Sequence, residues 1–194
     1  MMTQMVTERA MMKKTYSSLA VLTSALFLLP FAAQAQNKSA AKPAAGQTQA
    51  MLLETSGRWQ AFATQGTGKA RTCYALGKPT ERKPANLKDV AGYVFISSRP
   101  GEGIKNEISF VMGFDLKEGV EHQAQIGEQK FVLVAKGQNL WLKNPAEEPR
   151  VLDAMRKSSN LDIKATSKRG NPTSDKFALA GVAQTVKKAE DACK

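Results

Sequence analysis

The sequence predicts a mostly β domain, built as an antiparallel β-sandwich or as one curled sheet, with two short α-helices. Three observations lead to this prediction. Bulky apolar residues stand at every second position in strand-length segments, as Ile108, Phe110 and Met112 do. Turn-forming residues separate these segments at intervals typical of hairpins. Two segments with helical periodicity interrupt the strands, and the second lies at the C-terminus.

The predicted strands follow one another along the chain with short turns between them. The first pair consists of GRWQAFAT and TCYALG, joined by the glycine-rich stretch GTGKAR. The next segments are GYVFISSRP and EISFVMGFD, and then QKFVLVAKG and NLWLKN, which meet at Gly137 and Gln138. The last pair is NLDIKATSK and KFALAG, with a turn at RGNPTSD. Because short turns join neighbours, we expect the strands to be antiparallel.

The first helix is predicted within PAEEPRVLDAMRKSS, residues 145–159. Two acidic residues precede Pro149 in the first turn, and two basic residues stand in the last turn. Both placements suit the helix dipole, and proline is favoured at a helix start. Leu152 and Met155 supply the apolar face.

The second helix is predicted over residues 181–193. Val182, Val186, Ala189 and Cys193 recur at helical spacing and share one face. Because this apolar face must contact the core, we expect Cys193 to point inward.

Cys73 and Cys193 are the two cysteines of the chain, and we predict that they form one intramolecular disulfide. Such a bond requires an oxidising compartment, since cytosolic thiols stay reduced. Buried reduced thiols are the alternative for a cytosolic protein. A reactive Cys73 is a further alternative, but no histidine stands near it in the sequence to activate it.

Residues 1–35 are predicted to be a signal peptide. Lys13 and Lys14 precede the uncharged run LAVLTSALFLLPFAA, which leads into the small-x-small pattern AQA of a cleavage site. As a transmembrane helix the run is short, because about 20 apolar residues are needed, and Pro30 interrupts it. We therefore expect cleavage after Ala35 and a periplasmic or secreted protein that does not span the membrane.

The mature chain is predicted to consist of a flexible linker, residues 36–56, and a β domain, residues 57–194. The linker begins with QNKSAAKPAAGQTQA, whose composition buries too little apolar surface to offset the entropy of ordering it. Removing residues 1–35 takes away three basic residues and one acidic residue. The formal net charge then falls from +11 to +9.

This basic surplus is the main functional signal. Basic residues cluster early in the domain and again near its end, and the predicted disulfide would bring the two clusters together. We expect the resulting positive face to bind an anionic envelope component or a host-surface partner, and not nucleic acid. A solvated surface that only maintains solubility is the alternative. The candidate anion-binding residues are Arg71, Lys78, Arg82, Lys164, Lys168 and Arg169.

Candidate catalytic residues are sparse. His122 is the single histidine, and its segment LKEGVEHQAQIG is interpreted as a solvated turn. A zinc site usually needs several histidine or cysteine ligands, and the chain has no G-x-S-x-G segment. We therefore predict a non-enzymatic protein without metal or cofactor. An uncharacterised periplasmic hydrolase is the alternative.

Several of these segments together resemble a known family. GRWQAF, TCYAL and GYVFISSRPGEGIKNEISFVMGF are similar to the opening of the invasion-associated locus B family of exported alphaproteobacterial proteins. Near the end, the resemblance rests on the Arg169-Gly170 turn, Asp175, Gly181 and the final cysteine, and it covers residues 57–193. It implies an exported β-rich domain that is linked by name to host-cell invasion. It brings no catalytic residues with it.

Overall fold

The computed structural model describes residues 49–194, which form one antiparallel sheet of eleven strands and two helices. The strands are β1 (Ala50–Ser56), β2 (Trp59–Thr64), β3 (Cys73–Gly77), β4 (Glu81–Lys83), β5 (Tyr93–Arg99), β6 (Ile104–Val111), β7 (His122–Ile126), β8 (Gln129–Lys136), β9 (Asn139–Leu142), β10 (Asn160–Thr166) and β11 (Pro172–Ala178). The helices are α1 (Glu148–Lys157) and α2 (Val182–Ala192). In the sheet the strands run β1-β2-β3-β5-β6-β9-β8-β7-β10-β11-β4. The predicted mostly β class with two helices is confirmed.

The sheet curls until strands from its two ends approach each other. Trp59 in β2 donates its indole N–H to the carbonyl oxygen of Ala178 in β11 at 2.9 Å, although these strands lie near opposite ends of the sheet order. The edge strands β1 and β4 do not pair with each other, so the sheet stays open. Of the two predicted architectures, the structure has the curled sheet.

The concave face of the sheet carries the hydrophobic core. Buried residues alternate along the strands with more exposed ones, as Leu161, Ile163 and Ala165 do in β10, and this prediction is confirmed. The predicted hairpin at Gly137 is also present, because β8 and β9 pair on either side of it. Burial of apolar surface, at roughly 25 cal/mol per Å², therefore stabilises the curled form of the sheet.

The predicted boundary between linker and domain is wrong. Strand β1 occupies residues 50–56 and pairs antiparallel with β2, so the sheet begins within the predicted linker 36–56. The physical reason is the apolar run that starts at Met51: Leu52 faces Phe62 across the strand pair, and Leu53 packs inward. The signal-peptide prediction and the rest of the linker prediction lie outside the described residues.

Helix α1 confirms the first helix prediction. Pro149 stands in its first turn, Asn144 caps the preceding turn by accepting from the backbone N–H of Ala146, and the helix ends at Lys157. Its buried face includes Leu152 and Met155, and it packs against β6 and β7.

Helix α2 and the disulfide are confirmed together. Cys73 and Cys193 are bonded, with their Cα atoms 5.9 Å apart. Beneath the helix, Ala61 and Ala63 of β2 are fully buried and pack with Ala189. Small side chains let a helix approach a sheet closely, so the two sulfur atoms come within bonding reach.

Polar contacts fasten the same end of α2. Asn106 donates from its side chain to Glu190 at 2.6 Å, and Arg71 donates to the carbonyl oxygen of Ala192 at 3.0 Å. Asn106 has a φ of 57°, a left-handed conformation that asparagine tolerates better than most residues. The end of α2 is therefore held by the disulfide together with these polar contacts.

We expect Cys193→Ser to lower the free energy of unfolding by about 2–5 kcal/mol, because the long loop closed by the disulfide gains entropy in the unfolded chain. Urea denaturation measures the change. Wild-type protein in a reducing agent should show the same loss. Equal stability of the variant and the oxidised wild type would contradict a structural role for the bond.

Candidate functional site

The turn between β10 and β11 carries two adjacent cations, Lys168 and Arg169. Its backbone is fixed by bonds from the N–H of Lys168 to the Asp115 carbonyl oxygen at 2.8 Å and from the N–H of Gly170 to the Ser167 carbonyl oxygen at 2.8 Å. Gly170 has a φ of 87°, which a residue with a side chain adopts only at a cost. The two basic side chains therefore project from an ordered turn.

Lys164 extends this positive region onto the outer face of the sheet. It pairs in register with Ser174 of β11, which pairs in turn with Lys83 of β4. Lys83 forms a 2.9 Å ion pair with Glu81. We define the hairpin basic cluster as Lys164, Lys168 and Arg169.

Open grooves lie on both sides of the β10–β11 hairpin. One, of about 430 Å³, is lined by Lys168 and Arg169, with Asn86, Gln138 and Phe114 among its other residues. The second groove, of about 500 Å³, is lined mainly by polar residues and holds two cations, Lys83 and Lys164, and one carboxylate, Glu121. Two cations against one carboxylate line each groove, Asp115 being the acid of the first, so hydrogen-bond donors with net positive charge face both grooves.

The cations of the hairpin basic cluster are not held in close ion pairs, although Asp115 lines the first groove beside Lys168 and Arg169. Among residues 49–194, the ion pairs shorter than 4.0 Å do not include Lys164, Lys168 or Arg169. By contrast, the exposed Lys187 of α2 is paired with Asp191 at 2.7 Å. The cluster thus presents positive charge to solvent.

The structure does not gather all six predicted anion-binding residues on one face. Arg71 lies before β3 and Lys78 lies after it, so the two stand at opposite ends of that strand. Arg71 donates to the carbonyl oxygens of Gly66 and Ala192. Lys78 lies 6.0 Å from the ring centroid of Tyr93.

The prediction that Arg82 contributes to an anion-binding surface is wrong, because Arg82 is buried. Its side chain is 4% exposed and forms a bidentate pair with the fully buried Asp175, at 2.7 and 3.0 Å. It also donates to the carbonyl oxygens of Val90 at 2.6 Å and Met112 at 2.8 Å. Arg82 therefore joins β4 to β11 and to the chain that follows β6.

Burial also affects the acid of this pair. It raises the pKa of the Asp175 carboxyl above its ordinary value, while the hydrogen bonds and charge of Arg82 oppose that rise. The guanidinium is thus the partner that makes a buried carboxylate tolerable.

The interpretation of His122 as part of a solvated turn is also wrong. His122 begins β7 and is 3% exposed. Its Nε2 lies 3.0 Å from the carbonyl oxygen of Lys117, and its Nδ1 accepts from the backbone N–H of Thr166 at 3.2 Å. A neutral imidazole satisfies both contacts, which place the hydrogen on Nε2. The ring thereby joins β7 to β10.

Sequence reasoning missed a row of aromatic rings on the convex face of the sheet. Phe62 stacks on Tyr74 with ring centroids 5.2 Å apart, Phe95 follows at 5.6 Å, and Tyr93 lies 6.0 Å beyond it. We call these four residues the outer aromatic row. The signal in the sequence is that the alternate positions of β2, β3 and β5 that would face solvent include the aromatic residues Phe62, Tyr74, Tyr93 and Phe95, which is unusual for strands with one solvated face.

Residues 49–194 contain no group of three histidine, cysteine, aspartate or glutamate side chains that could hold a metal ion. Neither α1 nor α2 is long and apolar enough to cross a membrane. The chain matches no protein-family model, and comparison with the curated proteins and with the solved structures finds no significant match.

Removal of either partner of the buried pair should be costly. We expect Arg82→Met and Asp175→Leu each to lower the free energy of unfolding by about 3–5 kcal/mol, since each leaves an unpaired buried charge. The double variant should lose much less than the sum of the two single losses. Chemical denaturation of all four proteins gives the coupling energy.

Lys83→Met provides the control, because Lys83 neighbours Arg82 in sequence but its ion pair is exposed. Its denaturation midpoint should stay at the wild-type value. Strictly additive losses in the double variant would show that Arg82 and Asp175 do not stabilise the fold as a pair.

Proposed function

We propose that this protein is a non-enzymatic exported binding protein of the invasion-associated locus B type, which attaches to an anionic envelope or host-cell surface through its hairpin basic cluster. The observation that carries the proposal is the position of Lys164, Lys168 and Arg169. These three cations lie next to two open grooves and take part in no ion pair among the described residues.

Electrostatics gives this arrangement its binding capacity. A basic residue near an anionic membrane surface contributes about 1 kcal/mol of attraction, so three cations together contribute about 3 kcal/mol. Their field extends over roughly one Debye length, about 8 Å at physiological ionic strength. The formal charge of +9 that the chain keeps after cleavage at Ala35 adds a longer-range attraction that brings the protein to such a surface.

The disulfide supports export. Disulfides persist in oxidising compartments and are rare in the cytosol, and the bond between Cys73 and Cys193 has ordinary geometry, with Cα atoms 5.9 Å apart. The predicted signal peptide at residues 1–35 also indicates export. An exported protein meets anionic lipids, phosphorylated glycolipids and sulfated host polysaccharides before it meets nucleic acid.

Charge reversal tests the proposal. The triple variant Lys164→Glu/Lys168→Glu/Arg169→Glu should bind vesicles of phosphatidylglycerol and phosphatidylcholine at least tenfold more weakly than wild type, because about 3 kcal/mol of attraction is removed. Vesicle co-sedimentation at low and at physiological salt measures the change. Wild-type binding should fall steeply with salt, whereas pure phosphatidylcholine vesicles should bind neither protein.

A matched control variant distinguishes the effect of the cluster's position from the effect of the net charge. Lys69→Glu/Lys105→Glu/Lys130→Glu changes the charge equally at three exposed positions outside the cluster. It should retain most of the vesicle binding. Equal losses in the two triple variants would contradict a localised site. Repeating the assay with a soluble sulfated polysaccharide distinguishes a membrane partner from a host-surface polyanion.

A further inference from the structure

The two edges of the sheet are built differently. The β4 edge is three residues long, all of them charged, and Pro84 follows it directly. Short length, charge and proline are among the means by which proteins prevent another strand from pairing with an edge, as are β-bulges. The β4 edge is therefore protected.

The β1 edge is neither short, highly charged nor followed by proline, and its one protection of this kind is the β-bulge at Leu53. It is seven residues long, contains no proline or lysine, and has a single charged residue, Glu54. Met51 and Leu52 are 47% and 53% exposed, the two highest values among the large hydrophobic residues in the part of the chain that the structure describes. A strand of this length and composition at an open edge is a template for a further strand.

We propose that β1 is the interface through which two copies of this chain associate, with the two β1 strands pairing antiparallel across a two-fold axis. An antiparallel pair of identical strands is self-complementary, because each strand offers the same donors and acceptors to the other. Since the second edge of each molecule is protected, association stops at the dimer and does not continue into a fibre.

The charge pattern of β1 selects the register of this pairing. A two-fold axis at Glu54 would place the two carboxylates opposite each other, which is unfavourable. An axis close to Leu52 instead places Glu54 near Ala50 of the second copy and brings the two Leu52 side chains together.

Leu52 also connects the interface to the convex face of the sheet. It pairs in register with Phe62, the first member of the outer aromatic row. Pairing near Leu52 therefore removes both leucines from water and joins the two aromatic rows into one apolar surface. The bulge at Leu53 is compatible with pairing near Leu52. Leu53 packs inward beneath α2, so it does not occupy the convex side of β1 on which Leu52 lies.

The oligomeric state tests the proposal. The protein purified after export should sediment as a dimer that dissociates on dilution. Leu52→Lys should raise the dissociation constant of this dimer at least tenfold. Because Leu52 is more than half exposed, a lysine at this position is compatible with the fold, and an unchanged circular dichroism spectrum verifies that. Val132→Lys, at an exposed position on the interior strand β8, is the matched control and should leave the dimer intact.

Hydrogen exchange locates the interface. Backbone amides of β1 should become more protected as the wild-type concentration rises, and those of β4 should not change. A wild-type protein that stays monomeric at high concentration would overturn the proposal. So would a dimer whose β1 amides exchange as fast as those of the monomer, or one that Val132→Lys disrupts as strongly as Leu52→Lys does.

Discussion

The fold depends on covering the concave face of a sheet that does not close on itself. A flat, open sheet of eleven strands would expose its apolar face to water. Here the sheet curls around that face, and helices cover the gap that the curl leaves. Helix α2 covers that gap over β2 and β3, where buried alanines let it approach closely. The disulfide then fixes the helix across a loop of 120 residues, for which the chain-entropy model gives roughly 4.7 kcal/mol.

Local features of this architecture can be predicted from sequence, because they depend on neighbouring residues. Period-two burial identifies β10, Gly137 marks a hairpin, and the stripe that ends at Cys193 predicts the inward face of α2. Features that depend on distant residues cannot be predicted in this way. The contact of Trp59 with Ala178 reflects the curl of the whole sheet, and the apolar run of β1 becomes a strand by pairing with β2.

The same limit applies to the candidate site. A sequence shows how many cations the chain has, but not which of them reach solvent. Sequence reasoning groups Arg82 with the surface cations, yet Arg82 neutralises a buried aspartate that lies 93 positions away. Lys164, Lys168 and Arg169 remain on the surface because the β10–β11 hairpin extends them beside open grooves. The structure thus separates cations that stabilise the fold from cations that are available to a partner.

Amide hydrogen exchange in the presence and absence of a reducing agent tests the central role of the fastened helix most directly. If the disulfide holds α2 over the open side of the core, its reduction should first increase exchange in α2 and in β1–β3, while β7, β10 and β11 remain protected. If α2 stays as protected after reduction as before, packing and polar contacts hold the helix without the disulfide. That result would contradict the role of the disulfide in completing the curled sheet.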